Sequence, residues 1–347
     1  MQPRPKVAVI IPFFQRESGI LVRAVRSVFG QEGPLELHVI VVDDASPIGA
    51  AQELAGTEPA APHALHIVKR ANGGPGAARN TGLAFAAELQ PDIIAFLDSD
   101  DIWLPFHAAR GARELAEGAD FYFSNHLRGS AAGGAADDLD WFSENCPALT
   151  SAAEKIRDLE AGAIWGMKPP AAMNTLARVY ASQTSTVMAR FDLIGHKRFK
   201  PELRWAGEDY FLWVELAEQA RLVAFSDVPS VECGRGLNVY YGKQNWSHPD
   251  AEVPRGYSGI LYRAILKSFS LEPDTRAALQ ERARRFFSVY AYLAAKKLIT
   301  RGQMDLSLAA AIARKDAGEL LLAPYRAARM ALLAPQRRAR YADMRGV

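Results

Sequence analysis

The chain has 347 residues, enough for one large domain or two at the usual ~100–200 residues each. Hydrophobic residues make up 49% and charged residues 23%, a globular balance that excludes a disordered, collagen-like or purely coiled-coil chain. Net charge is only +2, but Arg255 to Val347 holds 18 Lys and Arg against 7 Asp and Glu, net +11, which leaves 23 against 32, net −9, in the remaining 254 residues.

No run reaches the ~18 uncharged apolar residues of a membrane span. The first residues are Pro-rich, and the short apolar stretch after them contains Pro12, so no secretory signal is expected. Two cysteines, Cys146 and Cys233, supply neither a disulfide framework nor a CxxC pair, and a reducing cytoplasm is the expected compartment.

In chain order, residues 7–12 form a β-branched apolar run of strand length, followed by helical spacing over 20–29 with Leu21, Ala24, Val25 and Val28 on one face. Strand patterns recur at 37–42, 65–69, 93–97 and 121–123. Helical patterns recur at 75–89, where Pro75 sits in the first turn, and at 105–117. Apolar strands alternating with helices predict a parallel sheet covered on both faces. Residues 127–150, rich in Gly, Ala and Asp, read as a loop or lid. Residues 183–189 read as a strand and 208–219 as a helix with Tyr210, Trp213, Val214 and Ala217 in a stripe. After Pro254 the chain turns helical and basic. Main helices are predicted over 276–300 and 306–333, the second kinked or broken at Pro324.

Ligands of a doubly wound sheet bind at the C-terminal ends of its strands. Here those ends carry Pro12-Phe13-Phe14-Gln15-Arg16, Asp43-Asp44, Asn72-Gly73-Gly74 and Asp98-Ser99-Asp100-Asp101. Three carboxylates within four residues repel one another unless a cation neutralises them, and oxygen-only ligands suit Mg²⁺ or Mn²⁺; a solvated acidic turn is the alternative. Asp43 is placed to face a base or ribose, with Asp44 or Ser46 capping the helix that follows. The Gly-rich turn 72–80 enters a helix and allows close backbone approach to an anion, or is a plain loop; Arg79 lies one turn inside, within reach of a phosphate or of the Asp98 cluster. Glu208 and Asp209 either complement a helix dipole or supply a general base beside Trp205.

Val9-Ile-Ile-Pro-Phe-Phe, Val41-Val-Asp-Asp-Ala-Ser, Asn72-Gly-Gly-x-x-x-Ala78-Arg-Asn, Phe96-Leu-Asp-Ser-Asp-Asp and Gly207-Glu-Asp occur in the order of the family 2 glycosyltransferases. The chain resembles that family over about residues 6–220, and within it the bacterial exopolysaccharide, succinoglycan-type glucosyltransferases. The resemblance implies an α/β GT-A fold, Rossmann-like with a mostly parallel central sheet flanked by helices: a catalytic domain over 1–254, with a nucleotide-sugar half to about 125 and an acceptor half beyond, followed by the basic helical region over 255–347 read from the residues above. It implies an inverting transfer of one hexose, glucose, from a UDP-sugar to a saccharide acceptor, with Mn²⁺ or Mg²⁺ as cofactor. Carried over by position, Pro12, Phe14 and Arg16 line the uridine pocket, Asp43 holds the uracil, and Asn72 and Arg79 support the nucleotide. Phe13, Gly73, Ser99 and Trp205 join the same donor pocket. Asp98 contacts ribose or metal, Asp100 binds the cation, Asp209 is the base, and Glu208 stands beside it near the acceptor.

Processive relatives carry QxxRW; Gln244-Asn-Trp-Ser-His248 departs from it, which favours single additions. His248 is a candidate third metal ligand, a surface histidine otherwise, and 183–186 a candidate border of the acceptor cleft. A lipid-linked acceptor would give the basic tail an anionic membrane to meet on its cytoplasmic face. Arg326, Arg329, Arg337, Arg338 and Arg340 are interleaved there with Leu320–Leu322, Met330, Leu332 and Leu333. Packing against the catalytic domain or a second subunit is the alternative for these helices. A nucleic-acid partner is set aside. A non-catalytic nucleotide-sugar-binding scaffold is the competing function.

Overall fold

The computed structural model describes residues 4–128, 139–146, 149–234 and 245–333. The chain divides into two compact units: Met1–Phe199 with Leu212–Leu237, and Lys200–Phe211 with Asn238–Val347.

The first unit is built on a mixed sheet. Its strands and helices run β1 (Lys6–Phe13), α1 (Ile20–Phe29), β2 (Glu36–Asp43), α2 (Ala50–Glu53), β3 (Ala64–Lys69), α3 (Pro75–Leu89), β4 (Ile93–Phe96), β5 (Ile102–Trp103), α4 (His107–Ala116) and β6 (Phe121–Arg128). There follow β7 (Leu139–Asp140), α5 (Trp141–Asn145), β8 (Glu154–Leu159), β9 (Gly162–Met167), α6 (Ala171–Arg178), β10 (Met188–Arg190), α7 (Phe191–Ile194), α8 (Glu208–Gln219), whose first residues belong to the second unit, and β11 (Val223–Cys233). The order is β3-β2-β1-β4-β10-β6-β11-β9-β8, with β5 on β11 and β7 on β6.

Strands β3, β2, β1 and β4 pair in parallel, as their continuous apolar runs require when helices cover both faces. Further along, the sheet becomes mixed. Strand β10 runs antiparallel between β4 and β6, and β8–β9 forms a hairpin whose β9 runs antiparallel to β11. The strand expected over 183–189 begins only at Met188, because Thr184–Thr186 coils into a 3₁₀ turn. Part of the expected loop 127–150 is ordered as β7 and α5; residues 129–138, 147 and 148 lie outside the described residues.

Helix α3 starts at Pro75, whose fixed φ suits the first helical position, after Gly74 at φ 87°, a region open to glycine. A Cβ on Gly82 would overlap Ile10, so this glycine lets α3 lie close on β1. Phe96, Phe199 and Trp213 meet with ring centroids 5.5–5.9 Å apart, and Trp213 also meets Phe121, giving this side of the sheet an aromatic core.

The second unit is helical: α9 (Glu252–Ser268), α10 (Pro273–Arg301), α11 (Leu306–Lys315), α12 (Ala317–Leu321) and α13 (Ala323–Leu332). The helix expected over 306–333 is thus three. It breaks at Asp316, whose side chain caps α12, and at Leu322, with Pro324 in the first turn of α13. Arg326 does not face outward as a surface cation. It ion-pairs with Glu319 at 2.6 Å and donates to the Arg284 carbonyl. Met330 is likewise buried, against Val289 and Leu293, whereas Leu321 and Leu332 are exposed. Residues 334–347, with Arg337, Arg338 and Arg340, lie outside the described residues. No described helix is long and apolar enough to cross a membrane.

Candidate active site

Strands β1, β2 and β4 deliver their C-terminal ends to one edge of the first unit. At the end of β1, Phe13 departs from the expected donor pocket: its ring is fully buried in the core, and its carbonyl accepts the Asp44 N–H at 2.9 Å. Phe14 and Arg16 are exposed and Pro12 is half-buried. Gln15 is buried; its N–H donates to Ser46 Oγ and its Nε2 to Ser99 Oγ at 3.2 Å, tying this strand end to the acidic turn.

The two aspartates after β2 divide their work differently from expectation. Asp43 is the cap: Oδ1 accepts the Ser46 N–H at 2.8 Å and Oδ2 the Ala50 N–H at 2.9 Å at the start of α2. Asp44 reaches into the Gly-rich turn instead, accepting the Gly73 and Gly74 N–H groups at 3.0 and 2.8 Å and pairing with Arg70 at 3.0 Å. Asn72 Nδ2 donates to the Asp44 carbonyl. The anion these turn amides take is therefore a side chain of the protein itself. The charge balance of the pair is internal.

After β4 comes the acidic turn. Arg79 Nη2 donates to Asp98 Oδ1 at 2.6 Å, one of the two partners, a phosphate or the Asp98 cluster, that its place on α3 allowed. Its neighbour Asn80 pairs with both backbone groups of Phe199. Burial, then the Asp98 charge, pushes the Asp100 carboxyl up to about 6. Asp101, more deeply buried and beside both Asp98 and Asp100, is pushed up to about 8. Arg128, at the end of β6 with its guanidinium 4.9 Å over Trp141, draws Asp100 back down. It is a cation of this edge that nothing in the residue pattern flagged.

A divalent cation fits this donor set. Asp98 and Asp100 are hard oxygen ligands whose mutual repulsion it would relieve, and two carboxylates leave positions for diphosphate oxygens. Among the described residues no group of three or more His, Cys, Asp and Glu side chains converges for a metal.

The remaining candidates lie in the second unit, at the start of α8 and before α9. Glu208 is buried and Asp209 half-buried, and the Tyr210 N–H donates to Asp209 Oδ1 at 2.7 Å. Trp205 is partly exposed, with the Arg204 guanidinium 4.7 Å over its ring. His248 Nδ1 accepts the Asp250 N–H at 3.0 Å.

Residues 8–162 match the family described as Glycosyl transferase family 2. The succinoglycan biosynthesis protein ExoW of Rhizobium meliloti (strain 1021) is 32% identical over 249 residues, 69% of this chain and 72% of ExoW. Among solved structures, S. aureus TarS 1-349 in complex with UDP-GlcNAc is similar at TM-score 0.55 and 19% identity, over 97% of this chain and 87% of that one. Mannosyltransferase PcManGT from Pyrobaculum calidifontis, in complex with GDP-Man and Mn²⁺, is similar at TM-score 0.55 and 17% identity, over 98% and 86%. These two likenesses concern the fold, and the fold is GT-A. An alignment spanning most of both partners, together with a family match covering the strand ends of Asp43, Asn72 and Asp98, makes the chain a member of glycosyltransferase family 2, an enzyme that transfers a sugar from a nucleotide-sugar donor.

Proposed function

We propose that the chain is an inverting, divalent-cation-dependent hexosyltransferase. It moves one glucose from UDP-glucose to a saccharide acceptor on a lipid carrier, in exopolysaccharide assembly at the cytoplasmic face of the membrane. The observation that carries this reading is the turn after β4, where Asp98 meets Arg79 and Asp100 is pushed up by burial and by its neighbour. The likeness to a succinoglycan biosynthesis protein supports the polysaccharide role, and those to structures holding UDP-GlcNAc and GDP-Man support a nucleotide-sugar donor.

Asp98 and Asp100 would hold the cation, which when bound supplies neutralising charge for the departing diphosphate. Phe14 and Arg16 would flank the nucleotide base, and Arg79 would keep Asp98 oriented. Asp209 would take the proton of the acceptor hydroxyl while that oxygen bonds to the anomeric carbon and the carbon–oxygen bond to the diphosphate breaks. UDP leaves with the electron pair. One displacement inverts the anomeric centre, so no covalent enzyme intermediate is needed. Holding both sugars in one orientation contributes the rest of the acceleration.

The test is a donor screen on the whole chain. UDP with Mn²⁺ should raise the melting temperature, GDP and dTDP should not, and UDP release should require UDP-glucose, Mn²⁺ and a lipid-linked saccharide together. A melting temperature indifferent to UDP and Mn²⁺ would sink the reading.

A further inference from the structure

Asp101 is almost wholly buried, and both its oxygens are engaged. Oδ2 accepts from Ser185 Oγ at 2.5 Å and from Gln183 Nε2 at 3.1 Å, and Oδ1 accepts the Gly234 N–H at 2.8 Å. These donors come from two remote stretches, the 3₁₀ turn before β10 and the chain leaving β11. Ser185 serves the other end of the acidic turn as well, since its Oγ accepts the Asp98 N–H at 2.9 Å. One hydroxyl therefore links the first and last residues of the turn, which Asp101 also closes by donating its N–H to the Asp98 carbonyl at 3.1 Å.

Ser185 is itself held. Its N–H goes to Gln183 Oε1 at 2.6 Å and its carbonyl accepts Trp103 Nε1 at 2.7 Å. On the far side, a Cβ on Gly234 would overlap the Asp100 carbonyl, so the exit of β11 rests against the turn. Burying a polar carboxyl group is costly unless partners converge on its oxygens. Three donors do so here, and an amide in its place would present an N–H to at least one of them.

We propose that Asp101 is a positioning residue. It ties the Asp98–Asp100 turn to Ser185 and Gly234, so that Asp98 and Asp100 present their carboxylates to a divalent cation at a fixed separation, and it ligates nothing itself. Gln183 and Ser185 thereby serve the acidic turn from behind rather than bordering the acceptor. The inference rests on Asp98 and Asp100 being the cation-binding pair.

Mn²⁺ affinity of the whole chain, read by electron paramagnetic resonance with and without UDP, tests it. Ser185→Ala and Asp101→Asn should each weaken Mn²⁺ binding about tenfold, with unchanged far-ultraviolet circular dichroism. Leu37→Ala, a core truncation at the opposite end of β2, should lower the melting temperature while leaving Mn²⁺ affinity as in the wild type. If Asp101→Asn loses the cation while Ser185→Ala keeps it, Asp101 is a ligand and the positioning role is overturned. Wild-type affinity in both variants overturns it too. Should Asp101→Asn fail to fold, Ser185→Ala alone decides by the same criterion. A wild-type chain that binds no Mn²⁺ with or without UDP refutes instead the underlying reading of Asp98 and Asp100.

Discussion

Arg79 holds Asp98 with one face of its guanidinium set 5.4 Å from the centre of the Phe199 ring, so its charge is buried, paired and stacked at once. Lysine supplies a charge but neither the planar fork nor the stacking surface. Arg79→Ala should cost about 2 kcal/mol in urea denaturation, the scale of a charged hydrogen bond lost with its partner left behind. Arg79→Lys should lose less stability and raise KM for the donor.

Asp209 is half-buried at the first turn of α8, held by the Tyr210 N–H. As the proposed base, its replacement by Asn removes the proton acceptor and keeps the shape. Transfer should fall at least ~100-fold, the low end of general-base catalysis, while UDP affinity stays near the wild-type value in calorimetry. Transfer at wild-type rate would remove Asp209 from the mechanism.

Two histidines of the first unit are buried and neutral. Desolvation holds His107 and His126 at about 3, below their ordinary 6.5. The unfolded chain therefore binds protons that the folded chain does not, in the window between 6.5 and about 3. Their contribution is fully present above that window and is lost as pH falls through it, on the order of 4 kcal/mol for the pair between pH 7 and 5. Guanidinium midpoints should fall accordingly. His126→Phe, which keeps a ring against Trp141 and removes two ring nitrogens without hydrogen-bond partners, should remove about half of that slope.

The helices after residue 251 leave Ile299, Leu321 and Leu332 more than four-fifths exposed, near exposed Lys296, Arg301 and Arg329. If this region meets an anionic membrane, the whole chain should sediment with phosphatidylglycerol vesicles and not with phosphatidylcholine ones. Salt at about 0.5 M should release it, because screening then acts within a few ångströms. Leu321→Glu with Leu332→Glu should abolish binding at low salt; unaltered sedimentation would exclude these residues from the contact.

Gly82 stands where α3 presses on Ile10. Gly82→Ala should destabilise the first unit by ~1–3 kcal/mol, since an added methyl there overpacks a filled core. A thermal midpoint equal to the wild type would mean that α3 shifts freely.

Residue order alone determined much of this protein. Periods of two and 3.6, with Pro75 as a start signal, place α3 over Pro75–Leu89 and α8 over Glu208–Gln219, because these are properties of neighbouring residues. The same text set the carboxylates, the Gly turn and the aromatics at strand ends, the edge where a doubly wound sheet binds its ligands. The β8–β9 hairpin escaped it: its charged edge strand lacks an apolar run, and Glu160-Ala161 is not a turn dipeptide with a signature. Only the folded chain decided which aspartate caps a helix and which closes the Gly turn, or that Asp101 would be met by Gly234, 133 positions away. Those contacts depend on strand order and register, and a hydrogen bond between distant segments leaves no periodic trace in either of them.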